Sequence, residues 1–150
     1  FRWLQGREAW AADGALIERL ALPLGPGVAE RFAFSKAISD ADHAKGEAVR
    51  KAFRTRLAKL LGQDGVLILP TVPDIAPLVS APEDQLDDFR NRALRLLCLG
   101  GLSGFPQVTV PVARREGAPL GLSLLGPKGS DKSLIAFATT FERAARVRIA

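Results

Sequence analysis

The sequence predicts an α/β protein in which a small mixed β-sheet is flanked by α-helices. Three observations carry that expectation. Apolar residues recur at three- and four-residue spacing in the N-terminal part and again near the C-terminus, the signature of helices with one buried face. Val66-Leu67-Ile68-Leu69 is a short, wholly apolar run between Gly65 and Pro70, which suits a strand buried on both faces. Val108 to Ala113 and Leu120 to Leu125 read as two further strands joined by the turn-like Arg115-Glu116-Gly117-Ala118, and a loop of three or more residues would let them pair antiparallel.

The remaining elements follow in chain order. From Trp3 to Leu20, the positions Trp3, Arg7 (through its stem), Trp10, Gly14 and Ile17 line one helix face, and Pro23, Gly25, Pro26 and Gly27 end it in a turn. A short helix spans about Val28 to Phe34. Ser39 with Asp42 three residues on resembles a capping box, opening a long helix with Val49, Phe53, Leu57 and Leu60 inward and a basic outer face, ending near Gly62. Pro70, Pro73, Pro77 and Pro82 stiffen an extended loop. The next helix runs from Glu83 to Leu99 with Leu86, Phe89, Ala93, Leu94 and Leu97 inward. Ser130 caps the last helix, with Asp131 in its first turn and Leu134, Phe137, Ala138 and Phe141 on one face. A three-stranded sheet is small for 150 residues. The expectation is one side of a larger sheet, whose exposed apolar edge strand would favour aggregation.

Composition narrows the function classes. A hydrophobic fraction of 47% and a charged fraction of 25% are those of a globular protein. No apolar run approaches the roughly 20 residues of a membrane helix, so no membrane association is expected. The chain opens at Phe1-Arg2-Trp3, without a secretory leader, and contains no Met, as expected of a piece of a longer polypeptide. The net charge of +5 falls largely on Arg50, Lys51, Arg54, Arg56 and Lys59 and on Arg143, Arg146 and Arg148. No aromatic platform is interleaved with them, so they read as solvated helix faces and nucleic acid is not an expected partner.

A search for chemistry within the chain finds no self-sufficient site. One histidine, His43, and one cysteine, Cys98, exclude zinc-type ligand sets and an internal disulfide, and a reducing compartment, the cytoplasm, is expected. Gly100-Gly101-Leu102-Ser103-Gly104 lacks the Gly-Lys-Ser/Thr of a phosphate loop and the second glycine of a nucleophile elbow. Ser103 is therefore read as satisfying backbone groups in a tight turn. Glu83-Asp84 and Asp87-Asp88 read as helix-start decoration rather than an acid–base pair.

Three segments together resemble the amidase signature family. Asp64 to Pro73, followed by Ala76-Pro77, resembles its strand-plus-proline segment. Gly101-Leu102-Ser103-Gly104-Phe105-Pro106-Gln107-Val108-Thr109-Val110-Pro111-Val112 is similar to its small-residue turn running into a core strand, although many members have Asn at the position of Gly101. Pro119 to Pro127, then Asp131 and the closing helix, resembles its C-terminal strand and helix. Over residues 1–35, Gln5, Glu8, Trp10, Gly14, Pro23, Gly25-Pro26-Gly27 and Arg31 are similar to the indole-acetamide-hydrolase-like branch.

The resemblance implies the C-terminal portion of a single amidase domain, with residues 1–62 mainly helical and 63–150 forming a strand-helix-strand-strand-helix core segment. It implies hydrolysis of a carboxylic amide, an aryl-acetamide being the expected kind, by a serine nucleophile, a second serine in a cis peptide and a neutral lysine. Those residues would lie upstream of Phe1, since none of Lys36, Lys45, Lys51, Lys59, Lys128 or Lys132 stands in a matching context. No catalytic residue is therefore assigned, and the segment alone is expected to be inactive. Leu94 and Cys98 match positions bordering the acyl channel and are the expected pocket wall. No cofactor or metal is expected; the expected partner is a small-molecule amide, and a homodimer is allowed. Two other readings differ in class or substrate: a non-catalytic basic binding module, and part of the A-type subunit of a tRNA-dependent amidotransferase.

Overall fold

The computed structural model describes residues 1–21, 23–25 and 27–149, with side chains through Ala145. Pro26 of the first turn and the side chains of Arg146 and Arg148 lie outside that description. The elements are α1 (Arg2–Leu20), α2 (Val28–Lys36), α3 (Asp40–Leu61), β1 (Leu67–Pro70), α4 (Glu83–Ser103), β2 (Gln107–Arg115), β3 (Ala118–Leu125) and α5 (Asp131–Ile149). Their order is the one predicted, and the architecture is the expected α/β. The chain forms two compact units, Phe1–Phe53 and Arg54–Ala150.

In the first unit α1 packs on α2. Close approach is made possible by glycine: a Cβ on Gly6 would stand 2.7 Å from Ile38 Cδ1, and one on Gly46 would stand 3.1 Å from Leu4. Leu4 fills the space thus left and is fully buried, while Trp3 is exposed. The rest of the predicted α1 face is found: Gly14 is buried and Arg7, Trp10 and Ile17 are half-buried, with Leu4 and Gly6 buried beside them. Arg7, half-buried on this face, also uses its guanidinium, donating to the Ile38 carbonyl (3.0 Å) and pairing with Asp40 (2.6 Å). The predicted cap is present: Ser39 Oγ accepts the Asp42 N–H at 3.1 Å and donates to the Asp42 carboxylate at 2.8 Å. Val49 and Leu60, expected inside, are exposed. On the part of α3 that lies in this unit Gly46 is buried, Phe53 is half-buried, and the Arg50 side chain is only 15% exposed. Further along, Leu57 and Leu61 are buried four residues apart, a row that places Leu60 on the solvent side.

In the second unit the sheet order is β1-β3-β2, antiparallel throughout. β3 is the central strand, and its Ser123, Leu124 and Leu125 are fully buried. β1 is not buried on both faces as predicted: as an edge strand it leaves Ile68 48% exposed. Val110, Val112, Leu124, Leu134 and Ala138 form the core, with Val108, Leu122 and Phe141 against it. This is the face that α5 covers, and Phe137, predicted inward, lies exposed beside Phe141. The β2–β3 turn is tighter than expected. Glu116 (φ 52°) and Gly117 (φ 80°) are both left-handed, the two-residue geometry that matches strand twist. Ser130 does precede α5, but its hydroxyl donates to the Pro127 carbonyl at 2.7 Å.

α4 continues four residues beyond the predicted Leu99. Gly100 and Gly101 lie inside it, and the helix ends at left-handed Gly104 (φ 68°). Ala93 and Leu102 are buried, whereas Leu97 is exposed. Gly100 lies close to Gln107, whose Oε1 would stand 3.0 Å from a Cβ added there.

Candidate functional site

The three segments singled out by sequence meet in the sheet, where β3 pairs with β1 on one side and β2 on the other, and α4 leads into β2 through Gly104, Phe105 and Pro106. Leu94 and Cys98, one turn apart on α4, are both half-buried. The Cys98 thiol donates to the Arg95 carbonyl at 3.4 Å. Five residues on, Ser103 Oγ donates to the Leu99 carbonyl at 2.7 Å and accepts the Phe105 N–H at 3.1 Å. That hydroxyl thus satisfies backbone groups, as predicted, but from the last residue of a helix rather than from a tight turn. The last carbonyls of α4 are taken by Arg54, whose Nε donates to Leu102 O (3.2 Å) and Ser103 O (2.9 Å). A cation at a helix C-terminus also complements the helix dipole.

The prediction of a solvated basic face on α3 is therefore corrected at two positions. Arg54 closes a helix end. Arg50 is held by Glu8 (2.8 Å) and Glu47 (3.0 Å), with its buried Nε lacking a hydrogen-bond partner.

On the sheet face opposite α5 stands a polar cluster that sequence reasoning passed over. Ser123 Oγ lies 2.9 Å from Thr71 Oγ1 and 3.1 Å from Thr109 Oγ1, and accepts from Gln107 Nε2 at 2.9 Å. Three partners saturate one hydroxyl. Register explains the meeting: Thr109 is directly opposite Ser123, and Gln107 lies two residues before Thr109 on the same face. Gly121 makes room, since a Cβ there would lie 2.6 Å from Thr109 Cγ2 and 2.9 Å from Thr71 Oγ1. The alternation of Gln107 and Thr109 with Val108 and Val110 was a usable signal for a polar face. The partners across the sheet were not visible before the register was known. A separate shallow concavity of about 290 Å³ is lined by Ala58, Gly62, Gln63, Phe105, Pro127 and Lys128, and Leu94 and Cys98 are not in its wall.

The other candidate groups are occupied structurally. Asp87 pairs with Arg90 (2.9 Å) and Asp88 with Arg92 (3.6 Å), while Glu83 and Asp84 stand in the first turn of α4. Lys36 pairs with Glu18 at 2.8 Å and Lys45 with Asp42 at 3.7 Å. His43 Nε2 lies 3.9 Å from Glu47. Among the described residues no three His, Cys, Asp or Glu side chains stand together to hold a metal ion, and no helix is long and apolar enough to cross a membrane.

Comparison with known proteins gives a consistent result. A family model described as Amidase matches residues 24–135. Amidase 1 of Arabidopsis thaliana is 39% identical over 136 residues, covering 89% of this chain and 32% of that protein. Amidase 1 of rice is 37% identical over 135 residues, with 89% and 31% coverage. A crystal structure of an amidase superposes with a TM-score of 0.78 at 26% identity, covering 95% of this chain and 34% of that one. More distant relatives carry other names: chloroplastic outer envelope protein 64 of Arabidopsis thaliana, 30% identical over 88% of the chain, and the A subunit of the glutamyl-tRNA(Gln) amidotransferase of Thermus thermophilus, 31% identical over 75%. The chain spans about a third of the length of the two Amidase 1 relatives.

Proposed function

The chain belongs to the amidase family, and from that membership we propose that it is the C-terminal part of an enzyme hydrolysing a carboxylic amide to acid and ammonia. One observation carries the reading. The match over residues 24–135 includes β1 with its proline-rich continuation, α4, and the β2–β3 hairpin, in family order. Residues 1–62 and 63–150 are then the helical and core segments of one domain. The resemblance supplies the chemistry. A serine attacks the amide carbonyl, a second serine in a cis peptide relays its proton toward a neutral lysine, and backbone N–H groups hold the oxyanion. The protonated amine leaves as ammonia, and water then releases the acid from the acyl-enzyme. All three side chains belong to the part of the enzyme outside this chain.

This chain's own contribution is pocket wall. Leu94 and Cys98 are half-buried neighbours on α4, and their apolar surface suits an aryl or alkyl acyl group. Cytoplasmic location, and small amides rather than nucleic acid or membrane as partners, complete the proposal. The test is ammonia release from a panel of aryl- and alkyl-acetamides by the full-length product of the native gene. Activity is expected from that product and not from residues 1–150 alone. Leu94→Trp is expected to raise KM for the bulkier amides more than for acetamide itself. A full-length product that releases no ammonia from any of them would remove the amidase reading.

A second reading follows from the amidotransferase relative: this chain belongs to an A-type subunit that serves a tRNA-dependent reaction. Binding of tRNA to the full-length product, lost steeply as salt rises, would favour it.

A further inference from the structure

α4 carries both residues assigned to the pocket wall, and it is anchored chiefly at its C-terminal end. Its buried residues are Ala93, Leu102 and Ser103, and two of those three stand in the last turn. From Glu83 to Arg92 only Leu86 and Phe89 are as much as half-buried.

That end is also the weak part of the helix. Gly100 and Gly101 stand between Cys98 and the last residue, Ser103, and glycine is among the poorest helix formers. The last turn, Gly100-Gly101-Leu102-Ser103, contains no cation of its own to complement the helix dipole. Two of its carbonyl acceptors are used locally: Leu99 O by Ser103 Oγ (2.7 Å) and Gly100 O by the Gly104 N–H (2.7 Å). The final two are met from α3. Arg54 Nε donates to the Leu102 and Ser103 carbonyls at 3.2 and 2.9 Å, from 48 and 49 residues away. Its Nη2 would stand 3.5 Å from a Cβ added at left-handed Gly104, so the guanidinium lies against the helix cap itself.

We propose that Arg54 is a positioning residue for the acyl pocket. By holding the last turn of α4 helical across Gly100 and Gly101, it sets where Cys98, and Leu94 one turn before it, present their apolar surface. Arg54 acts through α4 and touches no substrate. The inference rests on the amidase reading and on the assignment of Leu94 and Cys98 to the pocket wall. A displaced wall is felt by an acyl group large enough to reach it, and less by the methyl of acetamide.

The test uses the full-length product of the native gene carrying Arg54→Gln, Arg54→Lys, or Arg54→Gln together with Gly101→Ala. KM and kcat are measured for an aryl-acetamide and for acetamide. Lost stability alone lowers the amount of active enzyme and leaves the ratio of the two KM values where it was. Arg54→Gln is expected to raise the aryl-acetamide to acetamide ratio about fivefold with kcat little changed, and Arg54→Lys to raise it about twofold. Gly101→Ala is expected to bring the ratio back, since it places a better helix former at an exposed position. A ratio unmoved by Arg54→Gln, or not restored by Gly101→Ala, overturns the proposal. Where Arg54→Gln does not fold, Arg54→Lys is read instead, and an unmoved ratio there overturns it.

A second readout needs no turnover. The rate at which iodoacetamide alkylates Cys98, followed by peptide mass, is expected to rise about fivefold with Arg54→Gln and to fall back with Gly101→Ala. An enzyme that releases no ammonia while Cys98 responds in this way would refute the activity and leave the hold of Arg54 on α4 standing. An unchanged Cys98 rate overturns the inference whether or not ammonia is released.

Discussion

Ser123 shows how one side chain can set the polar architecture of a sheet. It is fully buried, yet its hydroxyl is saturated by Gln107, Thr71 and Thr109, so burial carries little penalty. Ser123→Ala removes the shared partner of three groups at once and is expected to cost about 1–3 kcal/mol in urea unfolding. Thr109→Ala, at the exposed rim of the same cluster, should cost less. Arg54 is the counterpart at a helix end. Replacing it with Gln removes the charge that meets the Leu102 and Ser103 carbonyls, and about 1 kcal/mol of destabilisation is expected in the same measurement. Neither role was visible in sequence. A serine in an apolar strand and an arginine in a basic run each look ordinary until their partners, far away in the chain, are placed.

At the scale of elements, existence, order and most of each inward face were legible, while single positions such as Trp3, Val49, Leu60, Leu97 and Phe137 were not. The periodicities that predicted eight elements rest on local physics: helix spacing, proline stiffness and strand alternation. The Ser39 cap was readable for the same reason, since both its partners lie within four residues. Single positions on a helix face are a different matter, because a neighbour chooses them. Gly6 and Gly46 leave room that Leu4 fills rather than Trp3, and on α3 Leu57 and Leu61 are buried four residues apart while Leu60 faces solvent. The β2–β3 turn gives a prediction at this scale. Glu116 holds a left-handed φ of 52° that an ordinary side chain disfavours, and its 3.8 Å contact with Arg115 is exposed and of little value. Glu116→Asn is expected to stabilise the hairpin by about 0.5–1 kcal/mol, seen as a raised Tm with β-sheet exchange slowed.

For the molecule as a whole, the two compact units each have a leucine at their centre. Leu4 in the first and Leu124 in the second are both fully buried. Truncation to Ala is expected to cost about 2–5 kcal/mol in either case. Hydrogen exchange distinguishes them: Leu4→Ala should accelerate exchange first in α1 and α2, Leu124→Ala first in the sheet. Exchange accelerated equally everywhere by both variants would mean that the chain unfolds only as one cooperative body.

The sequence by itself determined the fold class, the order of the elements and the family, because all three depend on short-range patterns. Val66 to Pro70, Gly101 to Val112 and Pro119 to Pro127 hold their strand and turn signals within a few residues, and family resemblance is carried by those same local strings. Only the tertiary structure decided which strand is central, that β1 is an edge, that Arg50 and Arg54 are bound rather than solvated, and that Gln107, Thr109, Ser123 and Thr71 form one cluster. The Arg50–Glu8, Arg54–Leu102 and Ser123 contacts join residues between 14 and 52 positions apart, and the β1–β3 pairs join residues still farther apart, such as Leu67 and Leu125. Local propensity is silent about such pairs, since their meeting is fixed by register and packing across the whole sheet.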